Sequence, residues 1–295
     1  RFCRACAAKY PAGPAPTIAT LNFDKTAPLA KLNNKATLPS QLRRRCYGLF
    51  MKKLACLMAS FLLLTGCAQS ATENSDDKTS VKMYFVADTP RGFKLFSEIR
   101  QFGPADDLNL KVISDLVSGK IAPLDSDYAT LWGGTNAVNS VSITDSVATV
   151  DLGEISLNVG AEGEQRAIDQ IVWTLTELVP AVTSVAFTVN GKTVESFAGH
   201  VDTTAQFVRA IDYEVLNPIQ ISSFNEGAEL TAPLAISGQA CTFEANVVWK
   251  LLQGETVVKE GFTTATSGCP DRGDWSISFD TLEAGEYTIQ ALEYS

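Results

Sequence analysis

The chain has 295 residues, with 24 Lys and Arg against 33 Asp and Glu and 45% hydrophobic residues. The bases cluster early: residues 1–66 hold 11 of them and a single acid, so residues 67–295 carry 13 bases against 32 acids, a net charge near −19. A surface this acidic repels phosphate backbones and anionic head groups, which argues against nucleic-acid binding and leaves general solubility as its plainest meaning.

Residues 1–50 mix Cys3, Cys6, Pro11, Pro14 and Pro16 with basic residues and show no sustained helical or strand periodicity. They open on Arg1 and read as upstream sequence that is not translated. Met51 then begins the three parts of an export signal over residues 51–66: Lys52 and Lys53, an apolar run over 54–64, and small residues before a cut. That run is too short to cross a bilayer, which takes about 20 apolar residues. Leu64-Thr65-Gly66-Cys67 resembles the bacterial lipobox, where Cys67 takes a diacylglyceryl group and the chain is cleaved in front of it. The alternative is an ordinary cleaved signal with a chance cysteine. Two acyl chains suffice as an anchor, each buried methylene adding about 0.8 kcal/mol. The expected mature protein begins at Cys67, lipid-anchored on the extracytoplasmic face of the cell membrane.

Of the seven cysteines, only Cys241 and Cys269 remain in the exported part beyond Cys67. In an oxidising compartment such a pair reads as a disulfide contributing about 3 kcal/mol, with two reduced thiols as the alternative.

A polar tether runs over 67–80, and residues 81–86 alternate as a strand. A second strand is expected over 93–102. Pro104, Asp106 and Asp107 then mark the start of a short amphipathic helix that Gly119 ends. Strands over 137–143 and 147–152 form a hairpin. Residues 164–178 make the strongest helix, with Ile168, Ile171, Val172, Leu175 and Leu178 on one stripe. Val185, Phe187 and Val189 lead into Asn190-Gly191, a hairpin signal that predicts a returning strand over 192–197.

The Tyr84-Phe85 strand, the run Ala148-Thr149-Val150-Asp151-Leu152 and the helix Gln170-Ile171-Val172-Trp173-Thr174-Leu175 together resemble the GerMN domain of sporulation and spore-germination proteins, over 81–197. The resemblance implies a domain of extracytoplasmic bacterial lipoproteins, similar to folds that build rings, with no established catalytic activity. Val150, Leu152, Ile171, Trp173 and Leu175 are expected in the core.

Residues 198–217 read as a linker with a helical turn over 205–211 and the lone His200, a solvated residue rather than a pH switch or ligand. From residue 218, short strands recur over 219–224, 233–241, 243–253, 255–263, 275–279 and 286–293, which predicts a β-sandwich. Ser237-Gly238-Gln239-Ala240, Thr242-Phe243-Glu244-Ala245-Asn246 and Glu260-Gly261-Phe262-Thr263-Thr264-Ala265 resemble the immunoglobulin-like domain that accompanies GerMN in spore-germination lipoproteins. Members of that family continue with one more strand, so 218–295 is expected to be truncated, an immunoglobulin-like sandwich lacking its last strand. Glu244 and Asn246 are candidates for a shared binding feature, with a turn and cap role as the alternative.

Catalytic and metal-ligating patterns are missing: there is no HExxH, GxSxG or phosphate loop, and one histidine cannot supply a base plus a metal set. Asp125-Ser126-Asp127 resembles the opening of a calcium loop but lacks its glycine and terminal glutamate. Asp106 and Asp107 sit at a helix N-terminus, where the dipole favours them.

The expected fold is α+β followed by an all-β sandwich. The expected function is a surface lipoprotein without catalytic residues, metal or cofactor, scaffolding an envelope assembly through a membrane anchor, an envelope or cell-wall protein partner and self-association. The alternative is a wall glycan- or peptide-binding lipoprotein with weak hydrolytic activity carried by Asp125, Asp127 or Glu244.

Overall fold

The computed structural model describes residues 17–23 and 78–293. The signal segment, the lipobox residues Leu64, Thr65 and Gly66, Cys67 and residues 68–77 lie outside them. The first described element is a strand, β1 (Thr17–Phe23). Apolar and polar residues alternate only over its last five residues, Ala19 to Phe23, too short a run to count as sustained periodicity. The run is short enough to be lost among prolines and bases.

The next region opens with β2 (Thr79–Thr89) and β3 (Gly92–Phe102), an antiparallel ribbon in register from Thr79↔Phe102 to Thr89↔Gly92. Helix α1 (Leu108–Val117) follows, its first turn capped by the Asp107 carboxylate, which accepts from the Leu110 N–H at 2.9 Å. A side-chain acceptor there satisfies one of the donors that a helix start leaves free. Strands β4 (Val138–Thr144) and β5 (Val147–Leu152) form the expected hairpin, turning at Asp145 with φ 55°.

Helix α2 (Ala161–Leu178) is the centre of the domain. Ile168, Ile171 and Leu175 are fully buried with Met83, Phe85, Ile113, Leu116 and Leu152. Complete burial of such a side chain contributes about 1.5–3 kcal/mol. Strand β6 (Ser184–Val189) pairs parallel to β5, giving a sheet of order β4-β5-β6.

The returning strand expected after Asn190-Gly191 does not form. Val189 and Lys192 make one bridge, and residues 196–201 then turn back to α2. There the buried Glu164 carboxylate gathers five donors: Ser196 Oγ (2.7 Å) and the N–H groups of Phe197 (2.8 Å), Ala198 (2.8 Å), His200 (2.8 Å) and Val201 (3.2 Å). These bonds give the loop backbone the partners that a hairpin would have supplied.

The helical turn expected over 205–211 lies later, as the short α3 (Asp212–Val215). The second region then builds two sheets. Strands β7 (Ile219–Ile221), β8 (Ala228–Leu230), β9 (Leu234–Ala240), β10 (Asn246–Gln253), β11 (Thr256–Thr264), β12 (Gly273–Phe279) and β13 (Glu286–Leu292) follow in sequence. One sheet has the order β12-β9-β7 and the other β11-β10-β13-β1-β8. On β12, Trp275, Ile277 and Phe279 face the core while Asp274, Ser276 and Ser278 face out, the period of two that one buried face demands. Gly238 on β9 has no room for a side chain, since a Cβ there would collide with the Gln220 carbonyl of β7. Cys241 and Cys269 form a disulfide with Cα atoms 4.5 Å apart. The architecture is α+β, followed by an immunoglobulin-like sandwich whose five-stranded sheet includes one strand from outside 218–295.

Candidate functional site

A two-stranded ribbon leaves every second residue of each strand with an outward N–H and C=O, and an uncovered edge of this kind invites pairing with another chain. On β3 these are Phe93, Leu95, Ser97, Ile99 and Gln101, and side chains reach the backbone of the first four. The Phe93 N–H donates to Glu162 Oε1 at 2.8 Å, and its carbonyl accepts from Arg166 Nε at 2.9 Å. The Leu95 carbonyl accepts from Gln220 Nε2 at 2.9 Å and from the Asn217 N–H at 3.2 Å. Ser97 N–H donates to Gln220 Oε1 at 3.3 Å. Ile99 donates to Asn225 Oδ1 at 3.0 Å and accepts from Asn225 Nδ2 at 2.7 Å. Two amide side chains of the immunoglobulin-like domain thus take the place of a neighbouring strand.

The edge of β2 is covered in the same way from α2. Tyr84 N–H donates to Thr174 Oγ1 at 3.2 Å, and Gln170 Nε2 donates to the Tyr84 carbonyl at 3.1 Å. This explains why Gln170 and Thr174, polar residues of an apolar helix, are fully buried. Arg272 ties the sandwich to the segment before it, donating to the carbonyls of Pro218 (3.0 Å) and Asn217 (3.2 Å). Replacing Gln220 and Asn225 together by Ala leaves the Ser97 and Ile99 amides without partners, at about 1–3 kcal/mol for each orphaned group. Amide exchange at residues 95–99 is expected to accelerate while exchange in α2 stays slow; unchanged exchange at 95–99 would count against the seam.

Two hollows share Ser222 and Asp274, the first at this seam and the second lined by sandwich residues alone. One, of about 160 Å³, adds Lys82, Tyr84, Ser97 and Gln239. The other, of about 400 Å³, adds Ser237, Thr263, Trp275 and Ser276. Hydroxyls and amides dominate both, and Lys82 is already paired with Glu177 at 3.1 Å. Such a lining can hydrogen-bond a neutral, hydroxyl-rich ligand or an extended backbone. Residue spacing could not reveal it, because its members come from six strands or their flanks.

The carboxylates singled out from the sequence occupy different places. Asp125 lies in a third hollow of about 20 Å³, with Glu98, Tyr128, Asn225 and Glu226, which is room for roughly one water. Burial pushes the Asp125 carboxyl up to about 6; the Asp127 N–H opposes this, and the charges of Glu226, Asp127 and Glu98 add to it. Asp127 is exposed and contributes that N–H at 2.8 Å. Glu244 sits exposed in the 243–245 turn at φ 53°, and Asn246 begins β10, as a turn and cap role requires. Asp125 and Glu244 do not line a common hollow. The His200 side chain is exposed, and only its backbone is engaged, by Glu164. Among the described residues, no group of three or more His, Cys, Asp or Glu is placed to hold a metal, and no helix is long and apolar enough to cross a membrane.

Residues 74–195 match the family described as sporulation and spore germination, Germane, and residues 218–295 match Gmad2, the immunoglobulin-like domain of bacterial spore germination. No curated protein matches the chain. Among solved structures, a Clostridium perfringens protein described as a lipoprotein is 21% identical, with 45% of this chain and 88% of that one covered and a TM-score of 0.32. The first GerMN domain of the sporulation protein GerM from Bacillus subtilis is 17% identical, over 44% of this chain and 96% of that one, with a TM-score of 0.34. The tandem GerMN domains of the same protein are 15% identical, over 70% of this chain and 62% of that one, with a TM-score of 0.38. The chain therefore carries a GerMN-type sporulation and spore germination domain followed by the immunoglobulin-like domain of bacterial spore germination.

Proposed function

We propose that the protein is a non-catalytic interaction module, held by lipid at Cys67 on the extracytoplasmic face of a bacterial membrane, that presents its two domains as one unit to an envelope or cell-wall partner. The observation that carries this reading is the seam: side chains of Gln220 and Asn225 complete the edge of β3, so the pair offers a partner one fixed surface. The lipobox-like Leu64-Thr65-Gly66-Cys67 and the acidic, base-poor chain after it support an exported, anchored setting. The hydroxyl-rich hollow at the seam and the one beside it on the sandwich favour a second reading, in which the partner is a wall glycan or peptide lying across them.

The test is the mass of membrane-extracted protein expressed from Met51 in a lipoprotein-processing bacterium, with and without Cys67→Ala. An acylated N-terminus at Cys67 that the substitution abolishes is the expected result, followed by in-cell crosslinking that captures an envelope protein or the wall. An unacylated product would overturn the anchor; an anchored protein that crosslinks to nothing would overturn the interaction role.

A further inference from the structure

The seam closes over an acid. After α1 the chain brings Asp125 to the hollow of about 20 Å³, walled by Ser97 and Glu98 of β3 on one side and by Gln220, Asn225 and Glu226 of the sandwich on the other. The two amides that cover the β3 edge therefore share this wall with a carboxyl group. Facing that group are Glu98 and its partner Arg100 on β3, Asp127 and Tyr128 on its own loop, and Glu226 from the sandwich. Glu98 is well supplied: Arg100 Nη1 lies 2.7 Å away, and the Leu124 and Asp125 N–H groups donate to it at 2.8 Å and 3.1 Å. Asp125 has the Asp127 N–H at 2.8 Å, and among the described residues no cation is ion-paired with it. Its ionised form is thus short of water and set among like charges, surroundings that favour the protonated form. Burial above all, joined by the charges of Glu226, Asp127 and Glu98 and opposed by the Asp127 N–H, pushes the carboxyl up to about 6. The Glu226 charge and part of the burial come from the sandwich, so the docked pair holds this proton more tightly than the two domains held apart.

We propose that Asp125 is a proton-operated latch on the domain seam: protonated, it lets the sandwich close on β3, and ionised, it is repelled by Glu226 and loosens the hold of Gln220 and Asn225 on the Ser97 and Ile99 amides. The latch builds on the reading of the two domains as one presented unit and adds its regulation, a fixed surface in mild acid and a looser pair at neutral pH. Because the docked value is the raised one, the stabilisation is complete below the value of a solvated aspartate and is lost as pH rises through the docked value.

Amide exchange at Ser97 and Ile99 in the full chain, corrected for the intrinsic rate at each pH, reads the seam. Protection there relative to α2 is expected to rise about two- to fourfold from pH 7.5 to pH 5.5, the upper figure following from a docked value near 6 and the lower allowing for solvent screening of a part-exposed group. Asp125→Asn keeps the acceptor for the Asp127 N–H and should hold the low-pH protection across the whole range. Glu226→Gln should raise protection at the upper pH and shrink the response. A response that survives in Asp125→Asn would overturn the latch, as would protection that falls, or stays level, on acidification of the parent chain. If replacing Gln220 and Asn225 leaves exchange at Ser97 and Ile99 unmoved, the seam itself fails and the latch with it. If that double variant exchanges faster while the parent chain ignores pH, the latch alone is lost.

Discussion

Glu164→Gln is expected to lower stability by about 3 kcal/mol at pH 7, read by urea unfolding. The residue is fully buried and both carboxylate oxygens are engaged, Oε1 by Ser196, Phe197 and Ala198 and Oε2 by His200 and Val201. Glutamine keeps one acceptor and turns an NH2 group toward donors that need an acceptor, so at least one backbone N–H is orphaned and a charge-assisted set becomes neutral. Burial alone would raise this carboxyl, but bonds from Ala198, Ser196, His200 and Phe197 outweigh it and hold the group below its usual 4.5. A depressed folded value means that this stabilisation is complete above the unfolded value and is lost as pH falls through the folded one. The gap between the parent chain and Glu164→Gln should therefore be widest at neutral pH and narrow below about 4.5. Equal stabilities at pH 7 would show that residues 196–201 are held by something other than this carboxylate.

Removing the disulfide with Cys241→Ser and Cys269→Ser should cost about 3 kcal/mol, the loop-closure value for a bond spanning 28 residues. The bond pins the end of β9 to the loop before β12, within the sandwich. Loss of protection should accordingly spread through 218–293 before it reaches α2. Reductant should lower the melting temperature of the parent chain toward that of the double variant and leave the variant where it is. A parent chain indifferent to reductant would mean that the two thiols stay unpaired in solution.

Much of this architecture is written in local periodicity. The stripe of α2, the β4–β5 hairpin and the regular strand spacing after Pro218 each announce an element, because one buried face imposes a repeat of 3.6 or 2. Asp107 is legible as a helix cap for the same local reason. The seam is not, since Gln220 and Asn225 act on backbone groups more than a hundred residues away. Glu164 resembles any acid in a first helical turn until the loop folds over it. That loop also defeated the Asn190-Gly191 signal: the turn forms, with Asn190 at φ 49° and Gly191 at φ 74°, but the chain beyond it finds better partners on α2 than on β6. Strand β1 escaped because its alternation spans only five residues and its partners lie at the other end of the chain.

The amide-covered edge of β3 bears on how such a chain could be inherited. A recombination event that moved residues 79–189 alone into another gene would deliver a ribbon with the Ser97 and Ile99 amides bare, a liability for solubility in its new host. Moving the sandwich alone would leave Gln220 with no backbone to embrace. The two domains therefore travel best together with their connecting segment, and a descendant that lost either amide would be free to part them.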